Sequence, residues 1–304
     1  MSDATSIERA FSVLGPRARR DEPIGARTTY RVGGRAALYL EAESEEDLAL
    51  VVRAVAESGI ELLVFGAGSN LLIADTGFPG LCVALGAPFE HIEVGQGIVE
   101  AGGAVLYPVL ARRLAALGWS GMEWAVGIPG SVGGAVAMNA GGHGEETRAR
   151  LIDARLFDLR SGATRVADPD GLDLSYRHSN VRREEVVLKA RFALSSGDRA
   201  SCARAIEEIV TWRREHQPGG RNAGSVFANP PGDSAGRLID AAGLKGLRVG
   251  SAVVSDKHAN FFVAAKDGSA ADVLALIETV RRLVRERCGV DLQPEVRCVG
   301  FDRG

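Results

Sequence analysis

Two glycine-rich segments hold the residues whose types and spacing are best suited to chemistry. In Gly66-Ala67-Gly68-Ser69-Asn70 two glycines allow close backbone approach, and successive main-chain N–H groups can form a concave anion site that would take a pyrophosphate. The dinucleotide-binding pattern needs a third glycine and a helix opening directly from the turn. Here Asn70 leads into Leu71-Leu72-Ile73, which disfavours a Rossmann site and leaves a tight surface turn as the plainer reading of this segment taken alone. The second segment runs Gly127-Ile128-Pro129-Gly130-Ser131-Val132-Gly133-Gly134-Ala135-Val136-Ala137-Met138-Asn139-Ala140-Gly141-Gly142. So many small residues clear a strip of backbone on which a large flat ligand can lie, with Ser131 starting a helix whose N-terminus faces phosphate. Close packing of a glycine-rich helix on a neighbouring element is the alternative reading.

The flanking patterns show what must position these segments. Ser44 followed by Glu45, Glu46 and Asp47 predicts an N-cap and acidic first turn; Leu48, Val51, Val52 and Val55 then keep helical spacing until Gly59. Glu61–Phe65 reads as a buried strand entering the Gly66–Asn70 turn, and Leu71–Ile73 as a strand leaving it. Strands are expected at Leu81–Leu85, Ile92–Val94 and Ile98–Ala101, then a helix carrying Leu106, Val109, Leu110, Leu114 and Leu117 and ended by Gly118. Leu151–Leu159, the Ser161-Gly162 turn and Val187, Ala190, Phe192 and Leu194 suggest antiparallel sheet ending near Ser195-Ser196-Gly197. Beyond it lie a helix from Arg199 to Glu215, a short helix around Leu238–Ala242, a strand Asn260–Ala265 and a long helix from Ser269 to Cys288, which make a smaller α+β domain.

At 304 residues the chain exceeds one usual domain, so two or three are expected. Hydrophobic residues at 46% and charged residues at 25% fit a folded protein with a sizeable core. Lys and Arg number 36 against 39 Asp and Glu, so the basic excess that nucleic-acid binding relies on is absent. No apolar run is long enough to cross a bilayer, and Asp3, Glu8, Arg9 and Arg17 occupy the stretch where a signal peptide would be apolar, which points to a cytosolic protein with no membrane partner. Cys82, Cys202, Cys288 and Cys298 show no metal-binding or redox spacing, so no metal is expected.

The string GIPGSVGGAVAMNAGGHG, with TTYRVGG at Thr28 to Gly34 and GAGSNLLI at Gly66 to Ile73, resembles the FAD-binding half of UDP-N-acetylenolpyruvoylglucosamine reductases. SYRHS at Ser175 to Ser179, NAGSVFANP at Asn222 to Pro230, SDKHANFFV at Ser255 to Val263 and QPEVRCVG at Gln293 to Gly300 resemble the family's remaining motifs, in the same order. The resemblance implies an α+β fold: a two-domain FAD-binding unit of the vanillyl-alcohol-oxidase type plus a smaller substrate-binding domain. The expected divisions are 1–80 with 293–304 returning to it, 81–197, and 198–292. It also implies FAD as cofactor, NADPH as co-substrate and a nucleotide-sugar substrate; a monomer is expected.

In such enzymes an enol-ether double bond conjugated to a carboxylate is reduced. The resemblance makes Ser225 the proton donor and Arg177 and Glu295 the residues that stabilise the intermediate. Thr29, Val32, Gly66, Ala67, Gly68, Ser69, Asn70, Gly127, Ile128, Pro129, Gly130, Ser131, Gly133, Gly134, Ala135, Asn139, Ala140 and Gly141 are expected around FAD. Arg214, His216, Asn229, Lys257, His258 and Asn260 are expected around substrate, with a capped turn before the Phe261-Phe262 strand as the alternative role of His258 and Asn260. The chain departs from the family pattern at His216 and Ala228, where basic residues are usual, so phosphate binding is expected to lean on Arg213, Arg214, Arg221 or Lys257. It has no long insertion between Asp153 and Ser195, as in the shorter subclass without a tyrosine-bearing loop. The competing readings are a paralogous FAD oxidoreductase for another substrate, and a flavin- or nucleotide-binding regulatory protein without catalysis.

Overall fold

The structure, a computed structural model, describes residues 4–301. Its helices are α1 (Ala4–Leu14), α2 (Glu45–Ser58), α3 (Tyr107–Leu117), α4 (Val132–Ala137), α5 (Arg199–His216), α6 (Ala235–Ala241) and α7 (Ala270–Cys288). The local signals act as expected. The Ser44 side chain accepts from Asp47 N at 3.2 Å to start α2, and Gly59 and Gly118, both left-handed, end α2 and α3. Ser131 caps α4, and Ser269 caps α7. No helix among the described residues is long and apolar enough to cross a membrane.

The chain forms two compact units. The first takes residues up to Asp21, Ala37–Ala67 and Pro79–Trp212; the second takes Glu22–Ala36, Gly68–Phe78 and the residues from Arg213. In the first unit a four-stranded sheet runs in the order Ala18–Glu22, Ala36–Ala42, Phe78–Leu85, Leu62–Val64, its last pair parallel with Leu62 opposite Leu81. Helices α1 and α2 cover it by packing Ala10, Leu14, Leu48, Val51 and Val55 with Leu38, Leu40, Leu81 and Val83. The expected helices and strands begin at Ser44, and α1 and the first two strands precede them. Ala18–Glu22 gives no strand signal because it reads Ala-Arg-Arg-Asp-Glu, polar at most positions, and lies at the sheet's edge.

The same unit holds an antiparallel five-stranded sheet ordered Thr164–Ala167, Leu151–Asp158, Glu185–Ala193, Ile98–Gly102, Ile92–Gly95. Leu110 and Leu114 of α3 and Val132 and Val136 of α4 pack with Val99, Ala101, Ala154, Leu156, Ala190 and Phe192 of this sheet. That packing fixes α4, and with it the glycine-rich strip, against the sheet.

In the second unit α6 and α7 pack with an antiparallel sheet of Arg248–Val249, Ala252–Val254 and Phe262–Ala264. The apolar stripe of α7 is buried at Val273, Leu276, Ile277, Val280 and Val284, as its spacing predicts. A parallel pair joins Leu71–Ile73 to Arg297–Val299, and Tyr30, Val32, Leu72, Val226, Phe227 and Val296 share the same core. The strand expected from Asn260 becomes regular only at Phe262. Asn260 and Phe261 are diverted into pairing with Ser225–Phe227, where Phe261 bridges Ser225.

Candidate active site

Ser225 stands in a short extended segment held from both sides. Val226 N donates to Asn260 O at 2.9 Å, Glu295 N donates to Val226 O at 2.8 Å, and Ala228 N donates to Gln293 O at 2.9 Å. The candidates Ser225 and Glu295, remote in sequence, are thereby brought onto hydrogen-bonded neighbouring segments, both half-buried. Glu295 has a further tie, since the Asn70 side-chain amide donates to its carbonyl oxygen at 2.9 Å while Arg297 N donates to Asn70 O at 3.0 Å. These bonds complete the parallel pairing of Leu71–Ile73 with Arg297–Val299, so the strand leaving the Gly66–Asn70 turn fixes the acidic residue.

Arg177, in the first unit, lies at the tip of a tight turn closed by reciprocal bonds between Ser175 and His178, at 3.1 and 3.0 Å. Its φ of +55° is left-handed, an unfavourable region for a long side chain. Three contacts hold the turn against the exit of α4. Asn139 Nδ2 donates to Ser175 O at 2.8 Å, Ser179 Oγ donates to Ala137 O at 2.7 Å, and Arg148 donates to Leu174 O. Asn139 is fully buried, and its Oδ1 also accepts from Arg148 N at 2.9 Å. The guanidinium of Arg177 reaches back to donate to Gly141 O at 2.9 Å, which puts its charge at the end of the glycine-rich strip.

Along that strip the main chain is tightly engaged. Gly130 O accepts from Tyr107 N at 2.9 Å, Gly133 N donates to Gly103 O at 2.9 Å, and Ala140 N donates to Ala135 O at 2.8 Å. Gly127 and Ala135 are buried, Ile128 is half-buried, Pro129 and Gly134 are exposed, and the buried Ser131 accepts from Gly134 N at 3.3 Å. A Cβ at Gly66 would lie 2.8 Å from Ser131 Oγ, so this turn residue must be glycine for the cap to stand where it does. Ala67 is half-buried beside it.

In the second unit Thr29 receives the rest of the turn. Its N–H donates to Gly68 O at 3.1 Å and its hydroxyl to Ser69 O at 3.4 Å. Because a trans peptide sets N–H opposite C=O, the N–H groups of Ser69 and Asn70 point away from Thr29. The turn carries Gly68 at a φ of +65°. Gly33 is wedged behind it, with φ of +99° and room for no Cβ, which would fall 2.1 Å from Ile73 O. Val32 is in the core, 4% exposed.

The residues expected around substrate divide by what they touch. Arg214, His216 and Lys257 are exposed, and Lys257 Nζ donates to Arg214 O at 2.5 Å, which gathers two cations at the end of α5. Asn229 Oδ1 accepts from Ala235 N at 3.0 Å and so helps to cap α6. His258 accepts from Asn260 N at Nδ1, which leaves Nε2 to carry the proton in the neutral ring. Burial and then the nearby Lys245 charge lower its pKa from the usual histidine value. Asn260 is 2% exposed, and its amide is bonded to the Phe227 peptide. Asp75 and Arg148 went unnoticed in the sequence. Asp75 accepts from Ala270 N and Ala271 N at the start of α7, a contact that no local pattern announces.

The FAD implied by the sequence fits these residues. In the first unit Gly66 and the strip from Gly127 to Gly141 are short of side chains, with Gly66, Pro129 and Gly134 exposed. A family model described as the C-terminal domain of UDP-N-acetylenolpyruvoylglucosamine reductase matches residues 216–299, and one described as an FAD binding domain matches residues 36–167. The chain is 44% identical over 303 residues to the UDP-N-acetylenolpyruvoylglucosamine reductase of Rubrobacter xylanophilus, covering 99% of each. It is also 44% identical over 290 residues to that of Heliobacterium modesticaldum, covering 94% of this chain and 91% of the relative. The crystal structure of the reductase from Thermus caldophilus matches with a TM-score of 0.81 and 36% identity, over 93% of this chain and 99% of that one. The fold class is therefore the expected α+β, with an FAD-binding domain and a smaller α+β unit. With glycine strip, turn and C-terminal motifs all in place across a full-length match, the chain belongs to the UDP-N-acetylenolpyruvoylglucosamine reductase family of FAD-dependent oxidoreductases.

Proposed function

We propose that the protein catalyses the NADPH-dependent reduction of UDP-N-acetylglucosamine enolpyruvate to UDP-N-acetylmuramate, a step of peptidoglycan precursor synthesis, as a cytoplasmic monomer. The observation that supports this above others is the pairing of Ser225 and Glu295 on adjacent bonded segments, in a chain 44% identical end to end to reductases of that name.

FAD, when bound, supplies hydride transfer from NADPH to the terminal carbon of the enol-ether double bond. Negative charge then develops on the adjacent carbon and spreads into the carboxylate. Arg177 meets that charge with a permanent cation and a planar fork of donors. Ser225 gives its hydroxyl proton to the adjacent carbon. A serine is a weak acid, so Glu295, on the segment bonded to its own, serves to relay a proton to it. The substrate's diphosphate is assigned to Arg214 and Lys257, with Arg213 and Arg221 making up for His216 and Ala228. His258 and Asn229 complete the group assigned to substrate.

The test is anaerobic. Protein loaded with FAD is reduced with one equivalent of NADPH, the enolpyruvyl sugar nucleotide is added, and flavin absorbance is followed. Rapid return of colour with formation of UDP-N-acetylmuramate is expected. A flavin that stays bleached would point to a paralogous oxidoreductase for another substrate, and a single species of monomer mass in solution is expected beside it.

A further inference from the structure

Asn260 is buried to 2% exposure, and both ends of its side-chain amide engage one peptide group. Oδ1 accepts from Phe227 N at 3.0 Å and Nδ2 donates to Phe227 O at 2.8 Å. The main chain of the same residue accepts from Val226 N at 2.9 Å. This reproduces the reciprocal two-bond exchange of antiparallel strands, with a side chain in place of one strand, at the point where the regular strand Phe262–Ala264 has not yet begun. So deeply buried an amide, already bonded at both ends, is closed to a small-molecule ligand.

The chain before Ser225 needs such a brace. Gly219, Gly220 and Gly224 carry no side chain in the incoming loop, and Gly220 and Gly224 both have positive φ. Arg221 bridges Ala264 and Asn222 accepts from Gly224 N at 3.0 Å before the serine, and the restraint that acts directly on the peptides after it lies on its C-terminal side. There Val226 and Phe227 are 0% and 1% exposed, and the Asn260 amide fixes the register.

We infer that Asn260 is a positioning residue for Ser225: it sets the Val226 and Phe227 peptides, and through them the direction of the serine hydroxyl, and does not touch substrate. This rests on the proton-donor role proposed above for Ser225. Catalytic groups lose roughly 100-fold in rate on displacement by about 1 Å, so a loosened brace reads out in the step that uses the hydroxyl.

Asn260→Asp gives a signature that a general structural defect lacks. An ionised aspartate accepts from Phe227 N but turns a negative charge on Phe227 O. A protonated one carries an O–H that restores the missing donor, and burial raises its pKa toward the assay range. In the FAD-loaded enzyme, stopped-flow reduction by NADPH is expected at the wild-type rate. Reoxidation by the enolpyruvyl sugar nucleotide is expected to be roughly 30- to 100-fold slower near neutral pH, with the deficit shrinking toward acid and KM for the sugar nucleotide unchanged. Ser225→Ala is run beside it. Slow reoxidation in Ser225→Ala with a wild-type pH profile in Asn260→Asp overturns the positioning role alone. Normal reoxidation in Ser225→Ala overturns the proton-donor reading, and the positioning role with it. If Asn260→Asp takes up no flavin, Asn260→Ser is judged by hydrogen exchange of the peptide spanning 225–228. Faster exchange there, with α7 unchanged, supports the brace, and unchanged exchange in that peptide overturns it.

Discussion

Arg177 holds a backbone conformation that a long side chain enters at a cost of about 1–2 kcal/mol, and it does so on a turn pinned by Asn139, Ser179 and Arg148. Strain kept in place by several remote contacts argues for a requirement on the side chain. Arg177→Gly is therefore expected to be more stable than Arg177→Ala by about 1 kcal/mol in urea unfolding, while both lose turnover. Equal stability of the two variants would remove the strain from the account. At Ser225 the expectation is kinetic. Ser225→Ala is expected to bind FAD and accept electrons from NADPH normally, with turnover reduced by roughly 10²-fold or more. Wild-type turnover in that variant would take Ser225 out of the mechanism.

Among elements, the strand Glu185–Ala193 is anchored by its first residue. The Glu185 side chain is 1% exposed and accepts from Arg165 Nε at 2.7 Å and from Arg182 N at 2.8 Å. Burial alone would push its carboxyl up, but the bonds from Arg165 and Arg182 outweigh burial and pull it down to about 2. Glu185→Gln is expected to cost about 2 kcal/mol, a figure reduced because both arginines reach solvent. Helix α7 depends on a cap supplied from elsewhere in its unit, since Asp75 bonds Ala270 N and Ala271 N at 2.9 and 3.0 Å in addition to the local Ser269 cap. Asp75→Ala is expected to lower stability by about 1 kcal/mol, with accelerated amide exchange confined to the first turn of α7. Exchange unchanged in that turn would show the cap to be redundant.

For the molecule as a whole, pH sensitivity on the acid side is shared by several carboxylates held below their ordinary values, Glu185 and Asp233 at about 2 among them. Glu185, depressed when folded, stabilises fully above the ordinary value of 4.5, and that contribution is lost as pH falls toward about 2. His258, also depressed, contributes fully above the ordinary value of 6.5 and loses that contribution as pH falls through its lowered folded value. The thermal midpoint is accordingly expected to decline on the acid side, and Glu185→Gln to flatten the lower part of the curve. A decline of the same steepness in Glu185→Gln would exclude that carboxylate. Sequence alone determined the features whose cause is local. Ser44, Gly59, Gly118, Ser131 and Ser269 bound their helices because capping needs only neighbours within a turn, and the stripe of α7 is buried because 3.6-residue spacing puts it on one face. The glycine segments were equally legible, because a missing side chain is visible without coordinates. Tertiary structure alone decided what Asn70, Asn139 and Asn260 do. Each was expected around cofactor or substrate, and each directs its amide to a backbone group distant in sequence: Glu295 O, Ser175 O and the Phe227 peptide. An asparagine's chemistry is the same toward a ligand or a peptide, so only the fold, by bringing a distant strand within 3 Å, chooses between them.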